Sequence, residues 1–185
     1  MKLLITGATG FVGTALTERV NSVYDTIALV RTQNHVLSEN IQQLVAANIF
    51  EADLPDNLDV IIHLAGRAHI LNEQTTDPLS EFRKVNVEGT LQLARQALDK
   101  KVKRFIFMSS IGVNGSLTSQ QPFTEDAAPQ PHADYAVSKL KAEQELKKLF
   151  AGSETELVII RPPLVYAAHA PGNFARLLKL VASNL

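Results

Sequence analysis

The stretch "KLLITGATGFVG" (residues 2–13) decides the architecture of this chain. Leu3 to Thr6 form a short apolar, β-favouring run. Gly7, Gly10 and Gly13 then recur at a spacing of three, and "FVGTALTERV" follows with Val12, Leu16 and Val20 on one helical face. A glycine triplet carries little meaning alone, but here it lies between a strand and the helix it opens. The first glycine permits the tight turn, the second lets backbone approach a pyrophosphate, and the third lets helix pack close to strand. The anion would sit at the helix N-terminus, where N–H groups lack intrahelical partners and the dipole favours negative charge. A nucleotide is therefore expected against Gly7, Gly10, Phe11, Val12 and Gly13.

Downstream, the same unit repeats. "TIALV" (26–30), "QLVAANI" (43–49), "DVIIHLA" (59–65), "VKRFIFMSS" (102–110) and "ELVIIRP" (156–162) are further strand candidates. Helices are predicted over 82–100, over 134–150 and over 173–185, where Phe174, Leu177, Leu178 and Val181 share a face. The unbroken apolar character of "DVIIHLA" suggests burial on both faces. Strands alternating with helices imply a parallel sheet with right-handed crossovers, in one domain over residues 1–185.

Composition narrows the function classes. The chain has 185 residues, 45% apolar and 20% charged, with a formal net charge of −1. No basic excess points to nucleic acid or anionic lipid. No apolar run approaches the ~20 residues needed to span a bilayer, and the N-terminal run is too short for a signal core of ~7–15 residues. A cytoplasmic protein is expected. There is no cysteine, hence no disulfide framework, and the five histidines show no metal-ligand spacing. Ser110 is not in a G-x-S-x-G elbow, which argues against a serine hydrolase.

The residue that follows the second strand bears on cofactor choice. A carboxylate there holds the adenine-ribose hydroxyls of NAD, whereas an arginine accommodates the extra phosphate of NADP. Here Val30 is followed by Arg31, which leans toward NADP; a solvated loop charge is the alternative.

Taken in order, "TGATGFVG", "HLAGRAH", "NVEGT", "FMSSIGVNG", "YAVSK" and "RPPLVY" resemble the extended short-chain dehydrogenase/reductase family, its NAD-dependent epimerase/dehydratase group. The resemblance spans essentially the whole chain and is nearest to nucleotide-sugar 4-epimerases and 4-keto-reductases of surface-polysaccharide synthesis. It implies a Rossmann-like, doubly wound, three-layer α/β/α domain binding NAD or NADP. It also implies catalytic roles for Ser110, Tyr135 and Lys139, with Asn86 supporting a proton relay. The chemistry gives the spacing a reason. A free tyrosine has a pKa near ~10 and is a poor base at neutral pH. A lysine at i+4 shares its helical face and would favour the phenolate.

Strand alternation separates Ser110 from Ser109, and the family's strand pattern selects Ser110. The resemblance further assigns cofactor contacts to Asp53 and Leu54 after the third strand, to Leu64, Ala65 and Gly66 after the fourth, to Tyr135 and Lys139, and to Pro162. Asp53 equally suits a plain turn or cap. Dehydratases of the family carry an Asp–Glu pair where this chain has Ile111 and Gly112, so dehydration is discarded. Asn114 replaces the family's "VYG" tyrosine, and Ala167, Ala168 and His169 stand where relatives continue with glycine.

The function expected is thus an NAD(P)-dependent oxidoreductase or epimerase at C4 of a UDP-sugar. A UDP-glucose or UDP-N-acetylhexosamine 4-epimerase leads, with an NADPH-dependent 4-keto-reductase as the alternative. A non-catalytic NAD(P)-sensing domain is the alternative from another class. Family members continue into a C-terminal substrate-binding domain that this chain does not contain, so weak turnover is expected of these residues alone. They commonly pair into a homodimer through the helices at 82–100 and 134–150.

Overall fold

A computed structural model describes residues 1–68, 77–118, 121–167, 170 and 173–183. Six strands form one sheet: β1 (Lys2–Thr6), β2 (Asp25–Val30), β3 (Gln42–Val45), β4 (Val60–His63), β5 (Arg104–Met108) and β6 (Glu156–Ile160). Every neighbouring pair is parallel, in the order β3-β2-β1-β4-β5-β6. The order reverses between β1 and β4. Ligands in open α/β sheets bind at such a switch point, beyond the carboxyl ends of the strands.

Both faces of the sheet are covered, as the unbroken apolar strands require. Leu4, Ile27, Leu29 and Ile61 join Phe105, Phe107, Leu93 and Leu146 on one face. Their strand neighbours Ile5, Ala28 and Val30 turn to the other face, with Leu37 and Ile41. There the helix α1 (Phe11–Val20) lays Leu16 and Val20 against them. The first face carries α3 (Thr90–Asp99) and α4 (Asp134–Phe150). The result is a three-layer α/β/α domain, doubly wound, as the sequence predicts.

The region 82–100 lies in an unbroken helical run over 78–99, which is not α-helical throughout. α2 (Pro78–Arg83) opens with Asp77 accepting from the Ser80 amide at 3.0 Å and with Pro78 in its first turn. A π-helical turn (Lys84–Gly89) joins it without a gap to α3. Such turns insert one residue into the hydrogen-bond ladder and are frequent at functional sites. β3, β4, β5 and β6 are shorter than predicted, whereas β1 and β2 reach their predicted bounds. The C-terminal helix α5 spans Asn173–Ala182, with Leu177, Leu178 and Val181 exposed and Phe174 packed on Tyr166 at 5.6 Å. Among the described residues, no helix is long and apolar enough to cross a membrane.

Candidate active site

The glycine turn has the predicted geometry. Gly7 adopts φ +68°, and a Cβ there would lie 2.7 Å from the Ala65 amide nitrogen at the end of β4. A Cβ on Gly13 would come within 2.0 Å of the Gly7 carbonyl oxygen, so the first turn of α1 rests directly on the loop. Gly10 caps α1 without a side-chain hydrogen bond, and the first turn carries no acidic residue. Backbone N–H groups at this end are therefore presented toward the switch point, which fits a dinucleotide pyrophosphate. Phe11 and Val12 are half-buried beside them.

Across the crevice, α4 carries Tyr135, Lys139 and Glu143 on one stripe. Asp134 in its first turn and Lys147 and Lys148 in its last complement the helix dipole. The Lys139 ammonium is buried, donates to the Met108 carbonyl at 2.8 Å and lies 4.5 Å from the centre of the Phe107 ring. Burial lowers its pKa to about 8, with the Glu143 carboxylate pulling it up. Tyr135 meets the edge of Phe82 at 6.2 Å, and burial pushes its phenol above the ordinary value. That direction is opposite to the expected effect of the lysine. Burial is the cause of the rise, while the ammonium lies 5.9 Å from the Tyr135 ring centre and donates to a β5 carbonyl.

The two serines separate as strand alternation predicts. Ser109 donates into the sheet-covering layer, to the buried Glu143 carboxylate. Ser110, half-exposed, caps the short turn Ile111–Val113 by accepting from the Gly112 amide at 3.1 Å. Ile111 and Gly112, where a dehydratase would carry its acid pair, lie in that turn. Pro162 supplies the carbonyl that receives the Ile111 amide at 3.0 Å.

Asn86 sits in the π-helical turn and is buried. Its side chain accepts from the Arg67 amide at 2.8 Å and donates to the Arg67 carbonyl at 3.1 Å and to Ser138 Oγ at 3.0 Å. Most of its capacity is thus spent holding the segment after β4. A Cβ on Gly66 would lie 3.2 Å from both Asn86 Oδ1 and Lys139 Nζ, so the bare glycine leaves a small polar gap between them.

This constellation matches a family. The model described as NAD dependent epimerase/dehydratase family matches residues 3–185. The chain belongs to that family. A UDP-glucose 4-epimerase of Vibrio cholerae is 40% identical over 189 residues, covering 99% of this chain and 57% of the relative. An N-acetyl-alpha-D-glucosaminyl-diphospho-ditrans,octacis-undecaprenol 4-epimerase of Escherichia coli O157:H7 is 31% identical over 98% of this chain and 54% of its own length. Among solved structures, a UDP-glucuronic acid 4-epimerase from Bacillus cereus in complex with NAD superposes with a TM-score of 0.84 at 25% identity. It covers 100% of this chain, which spans 63% of it. The chain thus spans little more than half the length of these curated relatives.

Within this family member, not every expected contact residue faces the crevice in the same way. Leu64 and Ala65 are fastened to β1, through the Thr6 carbonyl at 3.2 Å and Thr6 Oγ1 at 3.1 Å respectively. Arg31 is exposed directly after β2. The side chain of Asp53 is 96% exposed and lies 4.0 Å from Lys100, as befits a turn residue. Leu54 is buried, its amide donating to Gln96 Oε1 at 3.0 Å, while Gln96 Nε2 reaches the Ala52 carbonyl at 2.8 Å. Sequence reasoning missed Gln96, whose role depends on a residue 42 positions away. It also missed Glu143, which receives Arg161 Nε at 3.0 Å and Nη2 at 2.6 Å. Arg161 in turn reaches Asn114 Oδ1 at 3.2 Å. His69, Ala168 and His169 fall outside the described residues. Among the described residues no cluster of acidic and histidine side chains could hold a metal.

Proposed function

We propose that this protein binds NAD at the switch-point crevice and inverts the configuration at C4 of a UDP-hexose. The observation that carries the reading is the buried Lys139 ammonium, one helical turn from Tyr135 and tied at 2.8 Å to the carbonyl of Met108, two residues before Ser110. The 4-epimerase names of the relatives and the NAD-bound neighbour support it.

NAD, when bound, supplies a reversible two-electron acceptor for C4. The backbone N–H groups of residues 11–13 would hold the pyrophosphate, beside the segment Leu64 to Gly66 that packs on Gly7. Tyr135 exchanges a proton with the C4 oxygen, and Ser110 Oγ hydrogen-bonds the same oxygen. Burial disfavours the phenolate, and only the phenolate can accept the C4 hydroxyl proton, so the phenol has to lose its own proton first, a loss that the positive charge of Lys139 favours. The hydroxyl is oxidised to a ketone and reduced again on the other face, so no cofactor is consumed. In this reading residues 1–185 supply the cofactor-binding part, and they span 57% of the Vibrio cholerae relative.

The test is conversion of UDP-glucose and UDP-N-acetylglucosamine, followed by proton NMR with catalytic NAD⁺. Tyr135→Phe should abolish conversion, by at least the ~10²-fold typical of a proton-transfer residue, while NAD⁺ still raises the melting temperature. Because weak turnover is expected of residues 1–185 alone, the deciding sample is a protein of the relatives' full length; if it binds NAD⁺ and converts neither sugar, the reading fails. A second reading rests on Arg31, exposed at the end of β2 with no acidic residue beside it: an NADPH-dependent 4-keto-reductase. It would show net loss of absorbance at 340 nm during turnover, which the epimerase would not.

A further inference from the structure

His63 is fully buried at the end of β4, and the chemistry above gives it no task. Both ring nitrogens are engaged: Nδ1 lies 2.6 Å from Thr6 Oγ1, and Nε2 lies 2.9 Å from Thr90 Oγ1. The neighbours decide which nitrogen bears the hydrogen. Thr90 Oγ1 gives its single hydrogen to the Asn86 carbonyl at 2.8 Å, so toward His63 it can only accept. Nε2 is therefore the protonated nitrogen. Thr6 Oγ1 accepts from the Ala65 amide at 3.1 Å and gives its own hydrogen to the bare Nδ1. All these bonds run one way, from the Ala65 N–H through Thr6, His63 and Thr90 to the Asn86 carbonyl.

The end of the chain explains why the link matters. In a regular helix the Asn86 carbonyl would receive the Thr90 amide, but that amide donates to Val87 instead. The Thr90 hydroxyl takes its place and stabilises the π-helical turn. The start of the chain is the backbone nitrogen against which Gly7 packs.

We propose that His63 is a positioning residue: its Nε2–H form links the glycine turn to the π-helical turn and so aims Asn86 at the Arg67 backbone. The proposal rests on the epimerase reading only for what the crevice serves. Burial, aided by the charge of Lys139, lowers the pKa of His63 to about 3, which keeps the link neutral. Stacking on Phe107 at 5.8 Å holds the ring plane.

The experiment is NMR on the 185-residue chain. Long-range proton–nitrogen correlation should show the Nε2–H tautomer of His63, unchanged from about pH 8 to about pH 5, well below an ordinary histidine pKa of ~6.5. Amide hydrogen exchange should then be compared at Arg67, whose N–H Asn86 receives, and at Phe105 in the sheet core. Thr90→Val should speed exchange at Arg67 at least tenfold more than at Phe105, and Thr90→Ser should restore it. If the valine variant does not fold, Thr6→Val, which cuts the other end, gives the same comparison. An Nδ1–H tautomer, a titration within that pH range, or equal acceleration at Arg67 and Phe105 overturns the proposal. None of these readouts uses turnover, so failure here and failure of the epimerase reading are separate results.

Discussion

Replacing Glu143 by Gln should destabilise the fold by about 3–5 kcal/mol, the range for breaking a buried ion pair from one side. The structure supplies the reason for so large a value. Glu143 is 1% exposed and accepts from Ser109, from Arg161 Nε at 3.0 and 3.2 Å, and from Arg161 Nη2 at 2.6 Å. The Arg161 side chain is 17% exposed, so its charge would be left with little water. Glutamine preserves the shape but offers one acceptor oxygen and two N–H donors, which point at a guanidinium that only donates. The partner substitution Arg161→Met, made alone, strands the carboxylate instead. With Glu143→Leu as the other single, the double variant Glu143→Leu/Arg161→Met removes both charges, and its loss should fall at least about 2 kcal/mol short of the sum of those two singles. Urea unfolding followed by circular dichroism measures each corner of the cycle, with an unchanged m-value showing that the denatured state is comparable. A glutamine variant within about 0.5 kcal/mol of wild type, or corners that add to within that amount, would refute the argument. Because Ser109 is anchored by the same carboxylate, the variant should also loosen Ser110, visible as faster amide exchange at Gly112, whose N–H its hydroxyl receives.

Gly13→Ala must displace the Gly7 carbonyl, 2.0 Å from the added methyl; it should destabilise by roughly 1–3 kcal/mol, as overpacking does, and abolish the thermal shift with NAD⁺. Saturating NAD⁺ should stabilise the wild type by about 2.7 kcal/mol at a hundredfold excess over Kd, and if Arg31 selects a 2′-phosphate, Arg31→Ala removes only the shift given by NADP⁺. The lowered pKa of His63 predicts acid sensitivity. Below its ordinary value of ~6.5 the unfolded chain binds a proton that the folded chain refuses, so this site should subtract stability by about 1.4 kcal/mol per pH unit as pH falls toward 3. The same slope in a folded His63→Gln variant would assign the acid loss to other groups.

Much of the architecture is legible along the chain because it depends on local pattern. "KLLITGATGFVG" specifies a strand, a glycine turn and a helix through neighbouring residues alone, and the crowding at Gly13 shows why no larger side chain would serve. Tyr135 and Lys139 share a face because they are i and i+4 on a helix, and Ser109 and Ser110 part company because a strand alternates. The π-helical turn inside 82–100 was not legible. Apolar periodicity reports which face of a helix is buried, but a π-helical turn arises from which carbonyl changes partner, and here that partner is set by Thr90 and by His63 on another element.

The sequence by itself determined the succession of strands and helices along the chain, the glycine turn between β1 and α1, and the placing of Tyr135 and Lys139 one helical turn apart, since these follow from periodicity and spacing. Only the tertiary structure decided how those groups are held. Lys139 faces a backbone carbonyl of β5, Asn86 clamps the segment after β4, Glu143 binds an arginine 18 residues away, and His63 is fixed in one tautomer by threonines 57 and 27 positions distant. The physical reason is that buried polar groups must find partners inside the fold, and the partners available are those the sheet brings together, whatever their distance along the chain.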